Sequence, residues 1–419
     1  MLDRLYPLLT LCTLRSLLLA AVTCVFLAAT VPRAFAQTDT TRTDTDGITL
    51  TGVVLDRSTG TPLPGAHVFI AQSMRGTTSD VRGRFELTGM RTGAKRLYAS
   101  MLGYEPTSID LFLRHDTTYT FALRLPPRVI ESPGVVVEAE RDPDWYKRLR
   151  RFEKLFLGSS EWAQECTIQN PEVLRFESRW WGKFTAKAVE PLIIENRALG
   201  YRIKYFLQDF EASGGVIRWD GEPLFAPLTA SSIEEANRWK TNRRRAYFGS
   251  FRHFLRALLN DRLEQEAFTI YRIPRAGMYH SLHRADRLQA DREDILSVNA
   301  DNVAELDFNG RLEVIYRGEP ESPKYRHWSR EDRRPADIQT SQVKLNDPPV
   351  RVDRNGKIVE PYGATVYQYF AFERLAELIP LDYLPDAESA MVGIDAVNDV
   401  RFQPIPPPTL EQLQTDRSP

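Results

Sequence analysis

The sequence predicts a mainly β, α+β protein: an N-terminal antiparallel β-sandwich followed by a larger α+β domain with a mainly antiparallel sheet. Three observations predict this. From Ile48 to Leu125, apolar and polar residues alternate, and turn signals recur about every eight to twelve residues. Beyond Val173 come longer alternating stretches, broken by hairpin signals at Gly214-Gly215 and Asp220-Gly221. Between them and around them, apolar residues fall at helical spacing near 144–156 and 231–259.

Length and charge bound the function. At 419 residues the chain exceeds what one core usually organises, and 42% hydrophobic with 11% aromatic residues suffices for sizeable cores. With 55 basic against 56 acidic side chains, the net charge of -1 lacks the basic excess of a nucleic-acid binder.

At the N-terminus, Arg4 and Arg15 precede an apolar run from Leu17 to Ala29. Ala34-Phe35-Ala36 then meets the small-x-small requirement of signal cleavage. Residues 1–36 are therefore expected to leave as a signal peptide, with no transmembrane segment afterwards and an exported destination, periplasmic or associated with the outer membrane. Cys24 follows Ala21-Val22-Thr23, which argues against lipidation. Of three cysteines only Cys166 would remain, so no intramolecular disulfide is expected. Residues 37–47, rich in Thr and Asp, read as a flexible leader.

The sandwich is assigned to 48–125. Its strands are expected at Ile48–Asp56, Ala66–Ala71, Thr77–Ser79, Arg84–Thr88, Lys95–Ser100, Thr107–Leu113 and Thr118–Leu125. Pro62, Pro64-Gly65 and Asp80-Val81-Arg82-Gly83 supply the turn chemistry: a fixed φ at proline, a permissive one at glycine, and a short acid that bonds its own backbone. The set Gly52-x-Val54-x-Asp56, Pro64-Gly65-Ala66-x-Val68, Thr78-x-Asp80-x-x-Gly83-x-Phe85 and Gly103-Tyr104 resembles the carboxypeptidase regulatory-like domain, a transthyretin-like (prealbumin-like) β-sandwich. That resemblance implies a non-catalytic accessory or binding module, one that also precedes the plug of TonB-dependent receptors. The remaining chain is too short for a plug and large barrel, so an accessory role beside such a receptor is the most this likeness suggests.

A proline-rich linker is assigned to 126–143, an α+β domain to 144–403 and a polar tail to 404–419. In the α+β part, Asp144 is expected to cap a helix over Trp145–Phe156. Strands are expected at Val173–Ala186, Leu192–Asn196, Tyr201–Glu211 and Gly215–Trp219. The alternation of Tyr201-Arg202-Ile203-Lys204-Tyr205 predicts one buried and one wet face. Ser231 or Ser232 opens a helix with Glu234 and Glu235 in its first turn, broken near Gly249-Ser250. Phe251, Phe254, Leu255, Leu258 and Leu259 then form a stripe that docks on the sheet. Strands resume at Ala267–Ile273 and Leu312–Tyr316. A charged loop spans Glu319–Ala336, a hairpin turns at Asp353-Arg354-Asn355-Gly356, and a last helix runs from Tyr367 to Leu378. The runs Asn170-Pro171-Glu172-Val173-Leu174 and Tyr247-x-Gly249-Ser250-x-x-His253-Phe254 resemble exported proteins that pair this sandwich with an α+β domain of unassigned activity.

Four constellations could carry chemistry. His280-x-x-His283 has metal-ligand spacing but lacks the third ligand and general-base carboxylate of a zinc hydrolase, so neither metal nor cofactor is predicted. Gly249-Ser250 with His253 suggests a nucleophile, yet Ser250 reads better as a helix N-cap. Glu172, Glu177, Glu195, Asp209, Glu211 and Asp220 supply carboxylates for a glycosidase pair only if two of them face each other. Arg243-Arg244-Arg245 between Trp239 and Tyr247, with Trp180 and Trp181, could contact an envelope protein or glycan; a solvated helix face with its aromatics in the core is the competing reading. No catalytic residues are assigned. A non-catalytic exported envelope protein with a binding or assembly role is the leading expectation, and a hydrolase of peptides or glycans with its site in the second domain the alternative.

Overall fold

Seven strands build the N-terminal sandwich in the computed structural model of the chain, which describes residues 47–90, 93–113, 117–128, 143–179, 182–274, 287–298, 303–329, 337–360 and 362–385. The expected signal segment, the leader, most of the linker and the tail lie outside the described residues. The strands are β1 (Ile48–Asp56), β2 (His67–Ile70), β3 (Gly76–Thr78), β4 (Arg84–Met90), β5 (Gly93–Ser100), β6 (Thr107–Leu113) and β7 (Thr118–Leu125). One sheet has the order β4-β1-β7 and the other β3-β2-β5-β6. The β1–β7 pair is parallel, from Thr49 opposite Thr118 to Asp56 opposite Leu125, and every other sandwich pairing is antiparallel. The sandwich closes over its own core of Ile48, Leu50, Val54, Val68, Leu97 and Leu123, all fully buried.

The second part opens with helix α1 (Pro143–Phe156), whose Phe152 and Phe156 face inward. The helix begins at Pro143, so Asp144 lies in its first turn, bonded to Lys147, and is not the cap. A six-stranded antiparallel sheet follows: β8 (Cys166–Ile168), β9 (Leu174–Ser178), β10 (Phe184–Ala188), β11 (Leu192–Asn196), β12 (Tyr201–Ser213) and β13 (Val216–Pro227). The single strand expected from Val173 to Ala186 is instead the hairpin β9–β10, because the chain reverses where Gly182 donates to the Arg179 carbonyl.

Helix α2 (Ile233–Tyr247) is capped by Ser232, whose hydroxyl accepts from the Glu235 amide. Helix α3 (Phe251–Leu259) is capped by Ser250, which accepts from the His253 amide at 3.1 Å. The α3 stripe lies on a second sheet of order β15-β14-β18-β19-β21, formed by β14 (Phe268–Ile273), β15 (Leu288–Gln289), β18 (Arg311–Tyr316), β19 (Gln339–Leu345) and β21 (Ala364–Gln368). A small sheet, β16 (Leu296–Val298), β17 (Ala304–Leu306) and β20 (Val350–Val352), closes that core.

Two local expectations are corrected. The charged stretch after Glu319 contains a helix, α4 (Pro323–Ser329). Ser322 accepts from the Tyr325 amide, Pro323 occupies the first turn, and Tyr325 is buried against Tyr369 and Phe372. The last helix is not continuous. Tyr367 belongs to β21, a four-residue helix α5 (Tyr369–Phe372) follows, and a 3-10 turn covers Leu375–Glu377. Arg374 stops the helix: its guanidinium donates to the Leu155 and Ala371 carbonyls, while the Asn196 side chain holds the Ala376 carbonyl.

Strand β12 departs from one-sided burial. Tyr201, Ile203, Tyr205 and Leu207 face the α1 core as the alternation predicts, but Phe206 is also buried, on the opposite face. There the sandwich covers the sheet. Phe69 and Tyr98 pack on Phe206, Arg96 pairs with the buried Glu222 at 3.0 Å, and the His67 ring nitrogen meets the Lys204 ammonium at 2.9 Å. The Gln72 amide donates to the Pro223 carbonyl and the Phe225 amide to that of Ser73, so backbone as well as side chains join the two parts.

Candidate functional site

Helix α2 places Trp239, Arg243, Arg244 and Arg245 in packing roles. Trp239 is 4% exposed, lies over Gly200 and donates to the Arg197 carbonyl at 2.7 Å. A Cβ on Gly200, whose φ is +70°, would stand 2.3 Å from the Trp239 ring, so only glycine permits this contact. Arg243 donates to the Leu199 and Gly200 carbonyls and covers the Tyr201 ring at 4.2 Å. Arg244 covers Phe248 at 4.9 Å, and Arg245 covers Trp162 at 5.4 Å. The aromatic and basic residues thus satisfy one another. Trp180, Trp181, His280 and His283 lie outside the described residues, among which no group of three or more His, Cys, Asp or Glu could hold a metal.

The Ser250 and His253 pair is structural. His253 is 3% exposed, its Nδ1 accepts from the Gly249 amide, and its Nε2 meets Glu266, while burial lowers its pKa. Of the six sheet carboxylates, Glu195 pairs with Arg197 and Arg202, Glu211 pairs with Lys183, and Asp209 stands opposite Asp220 on the β12–β13 ladder. Cys166 is half-buried, and burial raises its thiol far above the usual range, which makes it a poor nucleophile.

A different group of acids does converge. Where the α1 core meets the α3 core, a cleft of about 410 Å³, its open mouth included, is lined by Glu161, Glu319, Glu373 and Glu377. They come from three separate stretches of chain. Ser160 ends the loop after α1 and its hydroxyl accepts from the Ala163 amide, which fixes Glu161 as the N-cap residue of the turn at Trp162–Glu165. Glu319 follows β18, and Glu373 and Glu377 lie on the stretch that Arg374 and Asn196 pin down. Trp162, Phe248, Tyr369 and Phe372 supply apolar walls.

Glu377 is 8% exposed. Its carboxyl accepts from the Ser160 hydroxyl and from the Arg374 amide at 2.7 Å. Burial pushes its pKa up to about 7 against those two donors. Burial, then Glu377 and Glu319, raise Glu373 well above the carboxylate range; burial also raises Glu319, opposed by Arg245 and Arg244. Two acceptors of the cleft lining have no hydrogen-bond donor among the described residues: Glu161 Oε2 and Gln339 Oε1. Gln339 is 4% exposed, lines the cleft and spends its amide nitrogen on the Pro320 carbonyl at 3.2 Å. Its oxygen fits only because Gly249, at φ +80°, has no side chain; a Cβ there would stand 2.6 Å away.

None of these four glutamates was legible as a site. They are drawn from positions 161 to 377 on irregular turns, and no spacing connects them. The signal that did exist was local: Glu373-Arg374 and Glu377 sit inside an otherwise apolar run from Tyr369 to Ile379.

The fold defines the class first: a seven-stranded β-sandwich joined to an α+β body. Residues 50–137 match the family model of the CarboxypepD_reg-like domain, a binding or regulatory module that is not itself catalytic. Solved structures similar to part of the chain include a type II cohesin–X-dockerin complex from Acetivibrio cellulolyticus, at 19% identity over 19% of this chain and 57% of that one, with a TM-score of 0.17. A pilus 2b backbone protein of group B streptococcus matches at 17% identity over 20% of this chain and 42% of that one, TM-score 0.18. The 3-chlorocatechol 1,2-dioxygenase of Rhodococcus opacus 1CP matches at 12% identity over 20% and 61%, TM-score 0.17. The chain thus spans less than two thirds of each, and overlaps this slight bear on neither function nor partner. No curated protein matches the chain at a significant level.

Proposed function

We propose that the chain is an exported, non-catalytic protein of the cell envelope that binds an envelope protein or glycan through the acid-lined cleft of its α+β part, with the sandwich as a fixed companion module. The observation that carries this reading is the pair of unpartnered acceptors, Glu161 Oε2 and Gln339 Oε1, in a cleft with aromatic walls. Buried acceptors without donors are costly in a finished core and are satisfied where a ligand or water enters. The Arg4-to-Ala36 pattern supports export. Among the described residues no helix is long and apolar enough to cross a membrane, which is compatible with peripheral association at the outer membrane.

The test is affinity capture of the tagged full chain from envelope fractions, alongside Glu161→Gln and Glu319→Gln variants. A partner retained by the wild type and lost from both variants supports the reading; a partner held equally by all three sinks it. N-terminal sequencing of the exported form is expected to begin at Gln37.

A second reading, a hydrolase of peptides or glycans, draws on the same cleft. A carboxyl titrating near 7 beside a serine hydroxyl is what general acid–base work requires. Hydrolysis of cell-wall peptides or glycans that vanishes in Glu377→Gln would favour it.

A further inference from the structure

The cleft is short of positive charge. Of its twelve lining residues four are glutamates and one, Arg245, is a cation, which lies 3.8 Å from Glu161 Oε1 and leaves Oε2 free of any donor. On another wall Gln339 Oε1, more than nine-tenths buried, also accepts from nothing. A ligand that fills the cleft therefore supplies hydrogen-bond donors, and one that is also cationic is attracted by Glu161 and Glu319.

A bare metal ion does not fit. A divalent cation needs several oxygens within about 2.6 Å of one point, and no three acidic, His or Cys groups among the described residues are so placed. An organic cation with several N–H donors spans acceptors that a metal cannot gather, and a guanidinium does so in a planar fork. Trp162 and Phe372 line the cleft, and Arg245 already sets a guanidinium over the Trp162 ring at 5.4 Å.

We propose that the cleft binds an organic cation bearing N–H donors, an ammonium or guanidinium group of the kind that ends a lysine or arginine side chain, held by Glu161, Glu319 and Gln339 against the aromatic wall. This rests on the reading of the cleft as the binding site. Its binding favours the ionised forms of Glu373 and Glu377, which stand among Glu161, Glu319, Tyr369 and Arg374, with Arg244 and Arg245 beside Glu319, so protons are released as it enters.

The probes are methylguanidinium, ethylammonium and tetramethylammonium, added to the full chain at matched ionic strength and followed by calorimetry in two buffers of different ionisation heat. The first two are expected to bind with proton release, and tetramethylammonium, which has no N–H, not to bind. Glu161→Gln and Gln339→Leu should each weaken binding about tenfold or more, and circular dichroism reports whether either variant has lost its fold. Equal binding of all three cations would overturn the proposal, because charge alone would then suffice. So would selective binding that both folded variants retain, since the site would lie elsewhere. If no probe binds while the cleft variants still lose their envelope partner, the cation assignment fails and the binding reading stands.

Discussion

The rings of Phe69 and Phe206 stack with centroids 4.7 Å apart and an interplanar angle of 26°, across the join between the sandwich and the long β12–β13 hairpin. Tyr98 completes the cluster at 5.0 and 5.7 Å from the two rings, and Gln208, at the bulge of β12, donates to the Tyr98 hydroxyl at 3.1 Å. A module of this class is readily pictured as a bead on a linker. Here one of its sheets is capped by the neighbouring domain.

Phe206→Ala should therefore act on coupling as much as on stability. The truncation removes a ring 5% exposed, a loss of about 3 to 5 kcal/mol for a buried Phe, and leaves Phe69 and Tyr98 facing a void. Denaturation followed separately by sandwich and α+β probes is expected to show one coincident transition in the wild type and two in the variant. Phe206→Leu should recover most of the coupling.

How much of this was legible in the sequence varies with the physics. The seven sandwich strands follow from alternation and turn chemistry, both local, and each expected strand overlaps the one observed. The join was written in Tyr205-Phe206-Leu207, three apolar residues in a strand that otherwise alternates, but a break in alternation does not say what covers the second face. Likewise Ser322-Pro323 held a helix start that the surrounding charge concealed. The cleft was the least legible part, because only the tertiary fold brings positions 161, 319, 339, 373 and 377 together.

The His67 and Lys204 contact makes the join sensitive to acid. Burial, then the Lys204 charge, lower the His67 pKa, so the folded protein keeps the imidazole neutral where the unfolded chain protonates it near 6.5. Below that value the unfolded state binds the extra proton, and stability is lost as pH falls toward the folded pKa. In His67→Gln the amide oxygen can still accept from Lys204 and nothing titrates. The wild type should therefore lose stability relative to the variant between pH 7 and pH 5, measured by urea midpoints at each pH.

Arg252 pins the end of the described chain. Its guanidinium donates to the carbonyls of Asn355, Pro380, Leu381 and Tyr383 at 2.6 to 3.3 Å, and burial, then Arg256, lower its pKa to about 10, which leaves it charged at neutral pH. Arg252→Met leaves those carbonyls without their donor and should cost about 3 to 5 kcal/mol. Arg252→Lys retains charge but has no fork, and should recover only part. Limited proteolysis is expected to cut near Leu381 and Tyr383 in the methionine variant well before the wild type.

Glu377 carries the opposite pH dependence to His67. Its folded pKa of about 7 lies above the unfolded value of 4.5, so between them the folded state holds a proton that the unfolded chain has released. Stability is fully present below about 4.5 and declines as pH rises through 7, by roughly 3 kcal/mol if the whole shift is expressed. Glu377→Gln mimics the protonated acid: its oxygen still accepts from the Arg374 amide and its nitrogen faces Ser160. The variant should match the wild type at pH 5 and exceed it at pH 8, where the wild type must hold a buried charge. Urea denaturation at the two pH values checks this, and adding Glu377→Gln to His67→Gln separates the two titrations, because His67 meets Lys204 while Glu377 meets Ser160 and Arg374, and with no shared partner their effects should add.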